Sequence, residues 1–158
     1  MPSLKKKFLH FHDYQGKSIE EVFTPEQRKR SIVLKANTFE SAVWLNTGKQ
    51  SFEKKPLPLQ MQFSPVYSSL IQDFDQDGAI DILAGGNLYR AKPETGIYDA
   101  SYGLFLKGDG KGGFEALPSQ KSGVFIRGEI RGLRSIPLKG KHLVIIGKNN
   151  DRVEFLEF

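Results

Sequence analysis

The chain has 158 residues, room for one ordinary domain or at most two small ones, and its 26% charged and 39% apolar content at a net charge of +5 is that of a folded protein. The absence of cysteine excludes a disulfide scaffold, a cysteine-ligated zinc site and a thiol nucleophile. No apolar run approaches the roughly 18 residues of a spanning helix, so no membrane insertion is expected, and the basic start Met1-Pro2-Ser3-Leu4-Lys5-Lys6-Lys7 lacks the apolar stretch of a signal peptide.

In chain order, His10 and His12 alternate and would share a face if this segment were a strand; they are read as exposed polar residues, with a metal site shared with His142 as the weaker alternative. Ser18 to Ser31 reads as helical. Ser18 can cap it, Glu20 and Glu21 suit its positive end, and Arg28, Lys29 and Arg30 suit its negative end. Pro25 fits better as the first-turn residue of a second short helix capped by Thr24. The basic clusters Lys5 to Lys7 and Arg28 to Arg30 are read as solvated charge, so no nucleic-acid partner is expected. Residues 1–30 thus form an N-terminal helical or connecting segment.

From Ser31 onward the periods are strand-sized. Ser31 to Thr38, Ser41 to Asn46, Ser51 to Glu53, Val66 to Ile71, Ala79 to Ala84, Gly103 to Lys107, Gly128 to Ile136, His142 to Ile146 and Arg152 to Phe158 are predicted strands, and 16 glycines punctuate them. The class expected is all-β over residues 31–158. Val43-Trp44-Leu45-Asn46-Thr47-Gly48-Lys49-Gln50-Ser51-Phe52-Glu53 matches Phe105-Leu106-Lys107-Gly108-Asp109-Gly110-Lys111-Gly112-Gly113-Phe114-Glu115, and an eroded third copy runs from Ile145 to Asp151. Strand, turn and strand repeated in this way suggest propeller blades or a solenoid. Trp44, Phe52, Phe105, Phe114 and Phe155 are expected in the core. The long connection Asn87 to Tyr102 is read as a structured excursion turning at Gly96.

The chemistry-bearing segment is Asp73-Phe74-Asp75-Gln76-Asp77-Gly78-Ala79-Ile80-Asp81. Carboxylates at positions 1, 3 and 5 point into one concavity when the chain curls, Gly78 permits the curl, the Ala79 carbonyl can ligate from position 7, and Asp81 completes an oxygen-only shell. Such a shell suits Ca²⁺, with Mg²⁺ or Mn²⁺ at a smaller cavity. Position 12 is Ala84, where an EF-hand needs a bidentate glutamate, and the flanks read as strands. No Gly-x-Ser-x-Gly or phosphate loop is present, and the adjacent carboxylates outside this loop, Glu20 and Glu21, are read as part of a helix start, so no enzymatic activity is expected.

The spacing Asp-x-Asp-x-Asp-Gly-x-x-Asp between two short strands resembles the calcium loop of FG-GAP or VCBS-type repeats, which build the blades of integrin-α-like β-propellers. The stretches Phe39 to Gly48, Asp81 to Asn87 and Gly103 to Phe114 look like the parts of such a repeat around its loop. The resemblance implies a partial propeller of about two and a half to three blades, short of the number that closes a ring. It further implies a C-terminal piece of a secreted bacterial protein, extracellular or at the cell surface or periplasm, completed by further blades or by self-association. Its role would be binding of a protein or glycan, with a structural ion held by Asp73, Asp75, Asp77, Ala79 and Asp81. The alternative is a fragment of a propeller hydrolase or lyase whose catalytic residues lie mostly in other blades.

Overall fold

The computed structural model describes residues 2–158, which fall into two compact units, one ending at Phe39 and one spanning Glu40–Phe158.

The first unit is helical in short pieces: α1 (Pro2–Lys7), a 3₁₀ turn (Phe11–Asp13), α2 (Ile19–Val22) and α3 (Pro25–Lys29). The helix expected from Ser18 to Ser31 is therefore two helices, parted at Phe23 and Thr24. Thr24 closes a reciprocal cap on α3: its hydroxyl accepts from Gln27 N at 3.3 Å while Gln27 Oε1 accepts from Thr24 N at 3.0 Å. The Glu21 carboxylate accepts the Ser18 N–H at 2.7 Å, and that bond holds it below its ordinary pKa. One expectation holds and one fails in this unit. His10 and His12 are exposed, as read, with their rings stacked at 5.4 Å about the 3₁₀ turn. Ser31 to Thr38 forms no strand, because no edge pairs with it and every side chain in it is exposed.

The second unit is mostly β: three antiparallel sheets, none of which closes. β1 (Ala42–Asn46) pairs with β2 (Phe52–Pro56). β3 (Val66–Gln72), β4 (Asp81–Gly86), β5 (Leu104–Gly108) and β6 (Phe114–Leu117) form a four-stranded sheet in sequence order. β7 (Ile130–Leu138), β8 (Lys141–Lys148) and β9 (Glu154–Glu157) form a three-stranded one. A single-turn helix, α4 (Ser119–Ser122), lies between β6 and β7.

Strand alternation explains the stacking. Successive side chains of β4 and β5 point to opposite faces, and both faces are covered. Leu83 and Phe105 enter a cluster with Phe74, Val124, Ile130, Leu133, Val144 and Ile146, against the three-stranded sheet. Ile82, Ala84 and Leu106 enter a second cluster with Met61, against Val43 and Leu57. Every residue of β4 is consequently buried, and each fully buried Leu or Ile contributes roughly 1.5–3 kcal/mol. Core expectations hold for Phe105 and, at the margin of the second cluster, for Phe114. They fail for Trp44, Phe52 and Phe155, which are more than half exposed, because they belong to strands of the outer sheets. Phe158 instead packs on Phe74, with ring centroids 4.6 Å apart.

Two hairpins share one closure. Thr47 N donates to Ser51 O at 3.0 Å and Asp109 N to Gly113 O at 3.1 Å; left-handed backbone falls at Gly48 and Gln50 in one, and at Gly110 and Gly112 in the other. The turn after β8 keeps a left-handed residue at Asn150, but Asn149 N bonds to Glu129 O instead. The connection from Asn87 to Tyr102 is structured, with a Leu88↔Tyr98 bridge, a 3₁₀ turn over Pro93–Thr95 and Gly96 at φ 71°.

Candidate metal centre

The loop joining β3 to β4 runs from Asp73 to Ile80, between strands that its own sequence requires to turn sharply. Gln76 (φ 62°) and Gly78 (φ 88°) take left-handed backbone on either side of Asp77. This curls the segment so that side chains spaced two apart converge. Asp73, Asp75 and Asp81 each offer a carboxylate oxygen within 4.8 Å of the others. That span matches ligands on opposite sides of a cation bound at roughly 2.3–2.6 Å, and the all-oxygen donor set suits a hard cation. The three aspartates thus form a cluster that can hold a metal ion.

The same carboxylates order the loop backbone. Asp73 accepts from Asp77 N (3.2 Å) and Gly78 N (2.9 Å), Asp75 from Asp77 N (3.3 Å), and Asp77 from Ala79 N (2.8 Å). Asp81 is wholly buried and acts as a staple: Oδ2 accepts from Phe74 N at 3.2 Å and Oδ1 from Gly108 N at 2.9 Å, tying both ends of the loop to β5. The close approach explains why residue 108 is glycine, since a Cβ there would run into the Ile80 carbonyl oxygen.

Asp77 lies apart from the three-carboxylate cluster. Its Oδ2 accepts from Lys107 Nζ at 2.7 Å, and the same ammonium bonds Asp75. The Lys107 hydrogen bond, helped by that from Ala79 N, holds the Asp77 carboxyl below its ordinary pKa, and the two aspartates push the Lys107 ammonium up. Ala79 follows Gly78 in the loop and presents its N–H to Asp77. Lys107 was not singled out by the spacing of the loop. It comes from β5, one residue beyond the Ile82↔Leu106 pair, and only strand register brings it there.

A second polar network was also illegible in the sequence. Glu129 is buried and accepts from Tyr89 N (2.6 Å), Asn149 Nδ2 (2.6 Å) and Arg131 (2.8 Å). The Tyr89 N–H, followed by Asn149, keeps its carboxyl below the ordinary value. Buried Asn87 accepts from Ser64 Oγ at 2.7 Å and donates to the Ser101 and Gly128 carbonyls. These bonds join the four-stranded sheet to the segment entering β7, and every partner is satisfied, so the network reads as structural. His142 lies on β8, 3.4 Å from Ser135 Oγ.

No family model, curated protein or solved structure matches the chain.

Proposed function

We propose that this chain is a calcium-binding, β-propeller-type module of the FG-GAP or VCBS kind. The observation that carries the reading is the convergence of Asp73, Asp75 and Asp81 at the turn between two strands of a four-stranded antiparallel sheet. The paired closures of the β1–β2 and β5–β6 hairpins support the blade-like repeat. Asp77 and the Ala79 carbonyl complete the shell once the ion draws Asp77 from Lys107. The ion's role is structural: it offsets half the charge of the four carboxylates and pins the loop that Asp81 staples to β5. Ca²⁺ is favoured over Mg²⁺ or Mn²⁺ because the loop is curled and supplies many oxygens without demanding octahedral geometry.

The module sits in an extracellular, cell-surface or periplasmic protein and serves binding of a protein or glycan rather than catalysis. The outer edges of β6 and β9, beyond their pairing with β5 and β8, are unpaired among the described residues, and such edges pair with further blades or a second copy.

Calorimetric titration of the chain with Ca²⁺ and Mg²⁺, beside thermal unfolding in EDTA, tests the reading. At the 10⁻⁴–10⁻³ M affinities of extracellular modules, ~1 mM Ca²⁺ stabilises by about 0.4–1.4 kcal/mol. The expected result is Ca²⁺ binding that Asp75→Ala abolishes while the unfolding transition in EDTA stays cooperative. Unchanged unfolding with no heat of binding in the wild type overturns it.

A further inference from the structure

The N-terminal unit has no interior. Among residues 4–39 no side chain is buried, whereas a helical unit of this size ordinarily needs a core, a staple or a partner to persist. Its large apolar side chains face outward: Leu9 is 81% exposed, Phe11 83%, and Ile19, Ile32, Val33, Leu34 and Phe39 are similarly bare. Leu4, Phe8, Leu9, Phe11 and Val22 line an open groove of about 650 Å³, which Lys5 also borders.

Charge is segregated to the same unit. Residues 1–39 carry eight lysines and arginines against four acidic residues, a net +4, while the remaining 119 residues, with 15 basic and 14 acidic, contribute +1. Two of the eight are engaged: Lys7 donates to Val22 O at 2.8 Å, joining α1 to α2, and Arg28 pairs with Glu20. Among the described residues Lys5, Lys6, Lys17, Lys29, Arg30 and Lys35 form no ion pair.

From this combination we infer that the N-terminal unit docks on an anionic lipid surface, its bare apolar side chains entering the headgroup–acyl boundary and its lysines and arginines meeting the phosphates. Aliphatic Leu9, Ile19, Ile32, Val33 and Leu34 outnumber the rings Phe11, Tyr14 and Phe39 among the unit's exposed large apolar side chains, which favours acyl chains over nucleic acid, where rings stack on bases. The net +4 opposes burial of this surface against a second copy of itself and complements an anionic bilayer. The helices are far too short to span, so the contact is interfacial. The inference stands independently of the metal loop.

The test is co-sedimentation of the full chain with phosphatidylcholine vesicles and with vesicles that also contain phosphatidylglycerol. Binding is expected only to the latter and weakens with salt. The doubly substituted variants Leu9→Ser/Phe11→Ser and Lys5→Glu/Lys6→Glu each lose about tenfold or more in partitioning. Both alter exposed residues, and an unchanged unfolding transition of the β unit verifies that the loss is local. Three results overturn the inference. One is no binding to either vesicle. Another is vesicle binding that Leu9→Ser/Phe11→Ser leaves intact while a single-stranded oligonucleotide binds as tightly. The last is a concentration-dependent dimer that the same variant dissolves.

Discussion

Lys107 Nζ stands 2.7 Å from Asp77 Oδ2 and reaches Asp75 with the same ammonium. The lysine is the loop's own counter-ion, so a divalent cation must take Asp75 from it. Exposed ion pairs are weak, and the competition is accordingly modest. Lys107→Met should tighten Ca²⁺ binding about two- to fivefold, measured calorimetrically, and should make the transition in EDTA broader and lower as the carboxylates lose their cation. Ca²⁺ affinity that falls instead would show that Lys107 supports the bound state.

Asp75 and Asp81 should separate by their effects. Asp81 is buried with two backbone N–H groups on it. Asp81→Ala strands both donors and should cost about 2–4 kcal/mol in EDTA, read by denaturant unfolding. Asp75→Ala, at an exposed position, should change stability in EDTA little while removing the Ca²⁺ response. Equal losses from both would mean that the loop has no distinct staple.

Gly108 is the tightest backbone constraint near the loop. A Cβ there meets the Ile80 carbonyl oxygen, and the residue's own N–H holds Asp81. Gly108→Ala should destabilise by about 2–3 kcal/mol, whereas Gly132→Ala, with nothing near its Cβ, should be close to neutral. Similar denaturation midpoints for the two variants would contradict the packing described.

Acid should unfold the β unit from the carboxylate side. Asp77, Asp109, Glu129 and Asp151 are all held below their ordinary values, Asp77 first by Lys107, Asp109 by the Lys111 N–H, Glu129 by the Tyr89 N–H and Asp151 by Lys148. A depressed folded pKa gives stability that is full above the unfolded value and lost as pH falls through the folded one. The melting temperature should therefore hold from about pH 5 to neutrality and fall progressively below about pH 4. Lys148 acts in the opposite direction: burial pushes its ammonium down, but Glu154 and Asp151 outweigh that and leave it raised, so its contribution is lost only above the ordinary lysine range. A flat profile between pH 5 and 3 would sink this account.

What sequence alone determined here is local. Gly78 between Asp77 and Ala79 made the curl of the loop readable because left-handed backbone has few occupants. The hairpins at Thr47–Ser51 and Asp109–Gly113 declared themselves through glycine and matching flanks, and the mostly β class followed from strand-length periods. Tertiary structure decided what depends on distant neighbours. Ser31 to Thr38 has the composition of a strand, yet a strand needs a hydrogen-bonding partner and no segment pairs with this one. Trp44 and Phe155 have the chemistry of core residues, yet the stacking order of the sheets leaves their faces in water. Lys107, 30 residues from Asp77, and Glu129, 40 from Tyr89, are brought to their partners by strand register and sheet stacking. Short-range backbone rules act within a few residues and are written in the chain; burial and charge pairing are properties of the assembled sheets.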